Sequence, residues 1–241
     1  MSSSEPLQEL IARYVDDALL ATIAEEYRSG RGLYVGTSNM DAQRFMIWNM
    51  GAIAASGHPD ALELFRRVLL ASASVPAMTP PVFFDVEIDG ERFDEMHADG
   101  GLHSQFFVPL RVIDLPAAIR EAQENGFDCA PTPRMFVIRN ARFTPDPEQV
   151  ERSIPDIAGR TISTMIQAMG QADLYQIYAI TRVRGSDFHY GEVPKDFVWN
   201  ADQEFDGDEM RRLFDIAYEL GFNGTAWSDT PPGLFAVNTA Q

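Results

Sequence analysis

The sequence predicts one mixed α/β domain with a mainly parallel sheet. Apolar β-rich segments alternate with amphipathic helical segments along the chain, and this alternation is typical of parallel α/β sheets. The length of 241 residues fits one domain, or one domain with an appendage. Because 45% of the residues are hydrophobic and 23% are charged, wholesale disorder is excluded.

The first half of the chain predicts helices and strands from apolar spacing and turn signals. Asp89-Gly90 is a hairpin signal between two β-rich segments. Pro59 opens a helix and Pro76 stops it. The predicted elements are a helix from Pro6 to Ala24 in one or two pieces, strands from Gly32 to Thr37 and from Arg44 to Trp48, the helix after Pro59, and strands from Val82 to Ile88 and from Arg92 to Ala98.

The second half predicts a continuation of the same domain. Its predicted elements are a helix from Leu115 to Gln123, a strand from Met135 to Ile138, a helical region from Pro147 to about Met169 that is broken or kinked at Pro155, a strand from Leu174 to Val183 followed by a turn near His189, and a helix from Asp206 to Leu220 ended by Gly221. We therefore expect residues 1–115 and 116–225 to be two parts of one α/β domain. Residues 226–241 are expected to be a surface tail.

Composition excludes several classes of function. There are 36 acidic and 19 basic residues, a net charge of −17, which disfavours binding to nucleic-acid phosphates. Lys195 is the only lysine and no GxxxxGK[ST] run exists, so a P-loop is excluded. Cys129 is the only cysteine, which excludes an internal disulfide and a cysteine zinc site.

Targeting signals in the sequence do not identify the cellular compartment. No apolar run reaches the roughly 18 residues that a membrane-spanning helix needs. The first residues, Met1 to Pro6, lack the basic and apolar regions of an export signal. We expect neither a transmembrane segment nor a cofactor, and the sequence does not fix the localisation.

The segment Asp99-Gly100-Gly101 is the main candidate for chemistry. Two glycines after an aspartate permit positive φ and a tight turn, so the carboxylate is expected at an exposed corner at the end of a strand. A carboxylate there can accept a proton from a neighbouring nucleophile. Turns also favour these residues for local reasons alone, so the triplet by itself leaves a purely structural turn as the alternative.

The order of the segments around this triplet resembles a known family. ASASVPAMTPPV, a hairpin and then HADGG follow one another, and GLYVGTSNMD and RFMIWNMGAIAASGHPDALELFRR precede them. This arrangement resembles the C-terminal part of the patatin-like phospholipase domain. The later segments PRMFVIRNARF and DIAGRTISTMIQAMGQADLYQIYAI resemble the downstream part of a bacterial subgroup, so the resemblance covers most of the chain.

The resemblance implies a three-layer α/β/α fold and hydrolysis of lipid or carboxyl esters by a Ser–Asp dyad. It assigns the role of base to Asp99, with Gly100 and Gly101 forming its turn. The chain contains no GxSxG nucleophile elbow and no glycine-rich oxyanion loop. We expect the first strand, that loop and the elbow to lie before Met1. Ser38, in Gly36-Thr37-Ser38-Asn39-Met40, aligns with a strand end and is not expected to be the nucleophile.

Two functions are expected on this basis. The first is a partial lipid acyl hydrolase that has the aspartate but not the serine, and is inactive alone. The second is a non-catalytic interaction module, or a truncated remnant, that pairs with another chain. The missing strand is expected to leave apolar surface near Leu33-Tyr34-Val35, and an exposed sheet edge there favours homo-oligomers.

Other polar clusters give weaker candidates. His97 and His103 flank Asp99 and suggest either a metal pair or a His–Asp relay, but no third ligand is evident and no metal is expected. The alternative is two histidines near a turn that form hydrogen bonds with the backbone. Ser72 and Ser74 fit close packing at a helix end. The acidic run from Asp202 to Glu209 lacks the order of a calcium-binding loop and fits the start of a helix.

Overall fold

The protein is a mixed α/β protein that divides into two compact units, Met1–Cys129 and Ala130–Gln241. The computed structural model describes residues 3–76, 78–108, 120, 123–124, 126, 132–144, 147, 149–201 and 205–234. The boundary predicted between residues 115 and 116, Cys129 and most of the helix predicted from Leu115 to Gln123 lie outside the described residues. Within the described residues, no helix is both long and apolar enough to cross a membrane.

The N-terminal unit begins with helices, and the sequence predicts each of them except the short one at Met50–Ala55. The described helices are α1 (Glu5–Tyr14), α2 (Asp17–Arg28), α3 (Met50–Ala55) and α4 (Ala61–Ser72). Of the two alternatives predicted for the first segment, one helix or two, the structure has the division into two. Asp16 causes it, because its side chain accepts a hydrogen bond from the backbone N–H of Leu19 and so caps a new helix.

Four strands of this unit form one antiparallel sheet. They are β1 (Tyr34–Asn39), β2 (Arg44–Asn49), β3 (Val82–Ile88) and β4 (Glu91–Asp99), in the order β2-β1-β4-β3. The predicted parallel arrangement is wrong here, because the strands come as two hairpins and a short turn joins only antiparallel strands. The predicted Asp89-Gly90 turn is confirmed, with φ of 52° and 84°.

Helices and one face of this sheet enclose the core of the N-terminal unit. Phe65, Val68 and Ala71 recur at helical spacing on α4 and are buried together with Phe84 of β3. Trp48 of β2 packs against the same cluster, with its ring 5.0 Å from that of Phe84. The face of the sheet that carries Trp48 and Phe84 is therefore the buried one.

The C-terminal unit contains a parallel strand pair and two helices. Strands β5 (Arg134–Arg139) and β6 (Asp187–Glu192) are joined by a crossover through α5 (Ile154–Val183), and α6 (Gly207–Phe222) follows. Helix α5 packs against β6. No described residue of α6 is buried.

The long helix of this unit differs from the prediction in its extent. The segment Leu174–Val183 is the last part of α5 and not a strand, because its buried residues Leu174, Ile177 and Thr181 recur at helical spacing. Of the two effects predicted for Pro155, the kink is wrong, because Pro155 lies in the first turn of α5, where its missing N–H is tolerated. The break agrees with the structure, since residues 149–153 are not helical.

Two predicted turn positions of this unit are also wrong. His189 lies within β6 rather than in a turn. Gly221 lies inside α6, and the residue with positive φ beyond its end is Gly224, at 72°.

The helical assignment of Leu174 generates a stability prediction. Leu174 is fully buried, so Leu174→Ala is expected to lower the free energy of unfolding of the C-terminal unit by about 2–5 kcal/mol. Met165 is 65% exposed on the same helix, so Met165→Ala is the matched control, with an expected change within about 0.5 kcal/mol. Amide hydrogen exchange in α5 and β6 measures both. Equal effects of the two substitutions would contradict the packing described.

Candidate functional site

Asp99 lies at the junction of three parts of the N-terminal unit. It is the last residue of β4 and the cap of the short 3-10 turn Gly100–Leu102. It pairs with Thr37 across the sheet, and its backbone N–H donates to the carbonyl of Ser74, just after α4, at 2.9 Å. A strand, a helix end and a turn therefore fix the backbone from which the carboxylate projects.

The carboxylate of Asp99 is oriented and partly buried. Its Oδ1 accepts a hydrogen bond of 2.7 Å from the N–H of Gly101, and its other oxygen receives none from the described residues. Burial raises the pKa of Asp99 above its usual 3.8, and the bond from Gly101 opposes this only in part. Asp99 is half-buried, so the expectation of an exposed corner is wrong.

Space requires the first of the two glycines after Asp99, and φ requires neither of them. Neither Gly100 nor Gly101 has a positive φ, which corrects the sequence prediction. A Cβ at Gly100 would lie 2.5 Å from the carbonyl oxygen of Gly36, and a Cβ at Gly101 would lie 2.7 Å from Nε2 of Gln105. Backbone therefore approaches backbone closely at this crossing of β1 and the turn.

His97 forms neither a relay with Asp99 nor the alternative of hydrogen bonds with the backbone. It is fully buried on the same strand as Asp99, but its ring nitrogens contact the side chains of Glu95 and Thr37. The Thr37 hydroxyl lies 2.8 Å from Nδ1, and a carboxylate oxygen of Glu95 lies 3.4 Å from Nε2. These three side chains form a Glu–His–Thr chain.

The Glu–His–Thr chain is anchored by an aromatic donor. The indole N–H of Trp48 donates to the Thr37 hydroxyl at 2.8 Å. Because a carboxylate only accepts, Nε2 of His97 is assigned the proton, and Nδ1 accepts from Thr37. The chain resembles a hydrolytic triad in its order of groups, but Thr37 is completely buried and no substrate reaches its hydroxyl. Its role is to hold the sheet together beside Asp99.

Sequence reasoning misses Thr37, Trp48 and Glu95. The signal that could have found Glu95 is the period of two along β4, which places Glu95, His97 and Asp99 on one face. The partners on the neighbouring strands depend on register, and no local pattern in the sequence specifies it.

The other candidate side chains do not join Asp99. His103 stacks on the ring of Phe45 with centroids 5.8 Å apart. Ser38 pairs with Ala98, so its side chain points to the face opposite that of Asp99, where its buried Oγ has no partner among the described residues. Ser74 is buried and its hydroxyl donates to the carbonyl of Leu70, which fits the packing role expected of it.

Metal ligands do not converge in the part of the chain that is described. No group of three or more His, Cys, Asp or Glu side chains there could hold an ion. Of the acidic run, Asp206 caps α6 by accepting hydrogen bonds from the N–H groups of Asp208 and Glu209, which is the helix-start role that the sequence predicts.

The arrangement at Asp99 can perform one kind of chemistry. A carboxylate whose pKa is raised holds a proton more strongly than an ordinary aspartate does, and one of its oxygens is already oriented by a backbone donor. Such a group is suited to accept a proton from a hydroxyl brought to its other oxygen. No model of a known protein family matches the chain, and no curated protein matches its sequence.

The Glu–His–Thr chain predicts a large effect of an isosteric substitution. Thr37→Val keeps the shape but leaves the Trp48 indole N–H and His97 Nδ1 without a partner, so the unfolding free energy is expected to fall by about 2–5 kcal/mol. Thr22→Val, on the exposed side of α2, is the control and is expected to have little effect. Hydrogen exchange of β1 and β4 amides measures both variants. Protection unchanged in Thr37→Val would contradict the assignment.

The raised pKa of Asp99 predicts a pH dependence of stability. Since the folded carboxyl holds its proton more strongly than the unfolded one, the folded state binds more protons between the usual 3.8 and the raised pKa. Stability is therefore fully present below the unfolded value and falls as the pH rises through this window. Asp99→Asn keeps an acceptor for the N–H of Gly101 but carries no charge. The free energy of unfolding of this variant is therefore not expected to fall over the same pH range.

Denaturant unfolding from pH 3 to pH 7 measures the difference between wild type and Asp99→Asn. Asp94→Asn on the same strand is the control, because Asp94 is exposed. A wild type that gains stability relative to Asp99→Asn as the pH rises would show that the carboxylate is stabilised in its charged form.

Proposed function

We propose that the chain supplies the aspartate of a Ser–Asp acyl hydrolase of the patatin-like type, which acts on lipid or carboxyl esters. The observation that carries this proposal is the carboxylate of Asp99, held at the end of β4 with one oxygen on Gly101 and its pKa raised by burial. In this role the serine hydroxyl attacks the ester carbonyl while Asp99 accepts its proton.

The geometry of Asp99 supports the role of a base in two ways. A raised pKa brings a carboxyl closer to the pH at which it works, which makes it a stronger proton acceptor. Fixation by Ser74, Thr37 and Gly101 removes the reorientation that a freely rotating carboxylate needs before each transfer. A surface turn without chemistry requires neither property.

The chain contains no serine in a nucleophile elbow to complete this dyad. GxSxG is absent from the 241 residues, and Ser38 points to the opposite face of the sheet. The proposal therefore assigns the serine and the oxyanion donors to another polypeptide segment. The three-layer α/β/α fold belongs to the same proposal, because that segment would add a strand to the sheet, whose edges are β2 and β3.

A second function, a non-catalytic interaction module, is favoured by the hairpin β3–β4. Phe83, Ile88 and Phe93 are 44%, 52% and 47% exposed on it, which is unusual for three large apolar side chains on one edge hairpin. Such an edge suits pairing with another chain whether or not an ester is hydrolysed. Co-production with a partner segment distinguishes the two functions.

The test begins with the DNA that precedes the codon of Met1. We expect it to encode a glycine-rich loop and a GxSxG elbow. Co-production of that segment with the chain is expected to give hydrolysis of p-nitrophenyl butyrate, while the chain alone gives none. Asp99→Asn is expected to lower the rate of the pair by about 10²–10⁴-fold, the usual worth of a general base.

Asp94→Asn is the matched control, since this exposed carboxylate on β4 is remote from the turn, and its rate is expected to equal that of wild type. A pair that hydrolyses the ester equally well with Asp99→Asn would overturn the proposed role. Turnover by the chain alone, lost in Asp99→Asn, would show that the serine lies within it. Absence of any encoded elbow would leave the interaction module as the better explanation.

A further inference from the structure

A cavity of about 800 Å³ lies in the C-terminal unit, apart from the Asp99 site. Its lining includes Ile138 of β5, the side of α6 that carries Leu213, Ala217 and Leu220, and Trp227. This volume falls within the range of about 300–1,000 Å³ that is typical of small-molecule sites. None of these residues belongs to the site around Asp99, so ligand binding in this cavity would be independent of the proposed function.

The walls of the cavity are apolar surface that the described residues leave unfilled. Ile138 is 73% exposed although it lies on a strand, and no described residue of α6 is buried. Leu213, Ala217 and Leu220 recur at intervals of four and three residues, so they lie on one side of the helix. A strand and a helix therefore present apolar faces to the same space without closing it.

Two of the charged residues at the cavity are already bound within the protein. Arg139 and Glu192 form a pair in the parallel ladder, on the face opposite that of Ile138. The guanidinium of Arg139 donates to Gln167 of α5 at 2.6 Å. The carboxylate of Glu192 accepts from the Tyr190 hydroxyl at 2.9 Å and from the N–H of Phe143. Both side chains thus serve the α5 side of the sheet.

Lys195 is the charged group that remains for a ligand. It is the only lysine of a chain with a net charge of −17, it lines the cavity, and it is exposed. It makes no ion pair or hydrogen bond with the described residues. An apolar space with one ammonium group that has no partner among the described residues is complementary to a molecule with an apolar body and one negative charge.

We propose that this cavity binds an aliphatic carboxylate, with the alkyl chain against Ile138, Leu213 and Leu220 and the carboxylate at Lys195. The probe for the test is decanoate, titrated into the full chain by calorimetry, beside decanol and decylammonium. Affinity is expected to rise about fourfold for each added methylene group from octanoate to decanoate. Decanoate is expected to bind more tightly than decanol, and decylammonium least.

Two variants test separately the contributions of the apolar wall and of the charge of Lys195 to binding. Ala217→Trp fills the cavity from an exposed position of α6, and it is expected to weaken decanoate binding at least tenfold while circular dichroism stays unchanged. Lys195→Gln is expected to weaken decanoate by about two- to fivefold and to leave decanol unaffected. Arg211→Gln is the control, because Arg211 is exposed on α6 and does not line the cavity.

Three results would overturn the proposal. The first is absence of decanoate binding by the wild type. The second is decanoate binding that Ala217→Trp leaves unchanged, which would place the ligand elsewhere. The third is tighter binding of decylammonium than of decanoate, which would show that the overall negative charge, and not Lys195, governs recognition.

Discussion

The N-terminal sheet depends on a short junction between two hairpins. Strands β1 and β4 pair at Thr37 with Asp99, Ser38 with Ala98, and Asn39 with His97, and just beyond these pairs the N–H of Met40 donates to the carbonyl of Met96. Without these pairs, each hairpin would be a separate two-stranded ribbon, which is marginally stable in water. Gly100 allows the backbone of the turn to approach β1 at this point. The position of the Asp99 carboxylate is therefore a consequence of the same contacts that make one sheet from two hairpins.

A buried polar chain fixes the register at this junction. Trp48, Thr37, His97 and Glu95 come from three strands, and each inner group finds its partner only in the observed pairing. A shift by one residue would turn these side chains to the other face and leave buried donors unpaired, at a cost of about 1–3 kcal/mol for each group. The same shift would also move Trp48 and Phe84 out of the core, so the polar chain reinforces a register that hydrophobic packing already favours.

Periodicity and turn chemistry predict local structure well, whereas pairing between distant segments is beyond them. The hairpin at Asp89-Gly90 follows from its residues, but the antiparallel sheet depends on the contact between β1 and β4. The segment Leu174–Val183 has strand-forming residues, yet the long amphipathic face of α5 outweighs that local preference. In the candidate site, the two glycines that follow Asp99 identify this residue from the sequence alone. The partners of His97 cannot be identified without the register of β1, β2 and β4. The cavity at Ile138 requires the tertiary fold of the C-terminal unit.

The charge of Asp99 distinguishes a turn residue from a group with a chemical role. Asp and Asn are about equally good as caps, and either can accept the hydrogen bond from Gly101. Burial disfavours the charged form, so an aspartate at this position destabilises the fold at neutral pH relative to an uncharged acceptor. The local structure thus accounts for an acceptor at position 99 but not for a carboxylate. The role of base that we propose for Asp99 uses both its charge and the pKa that burial raises.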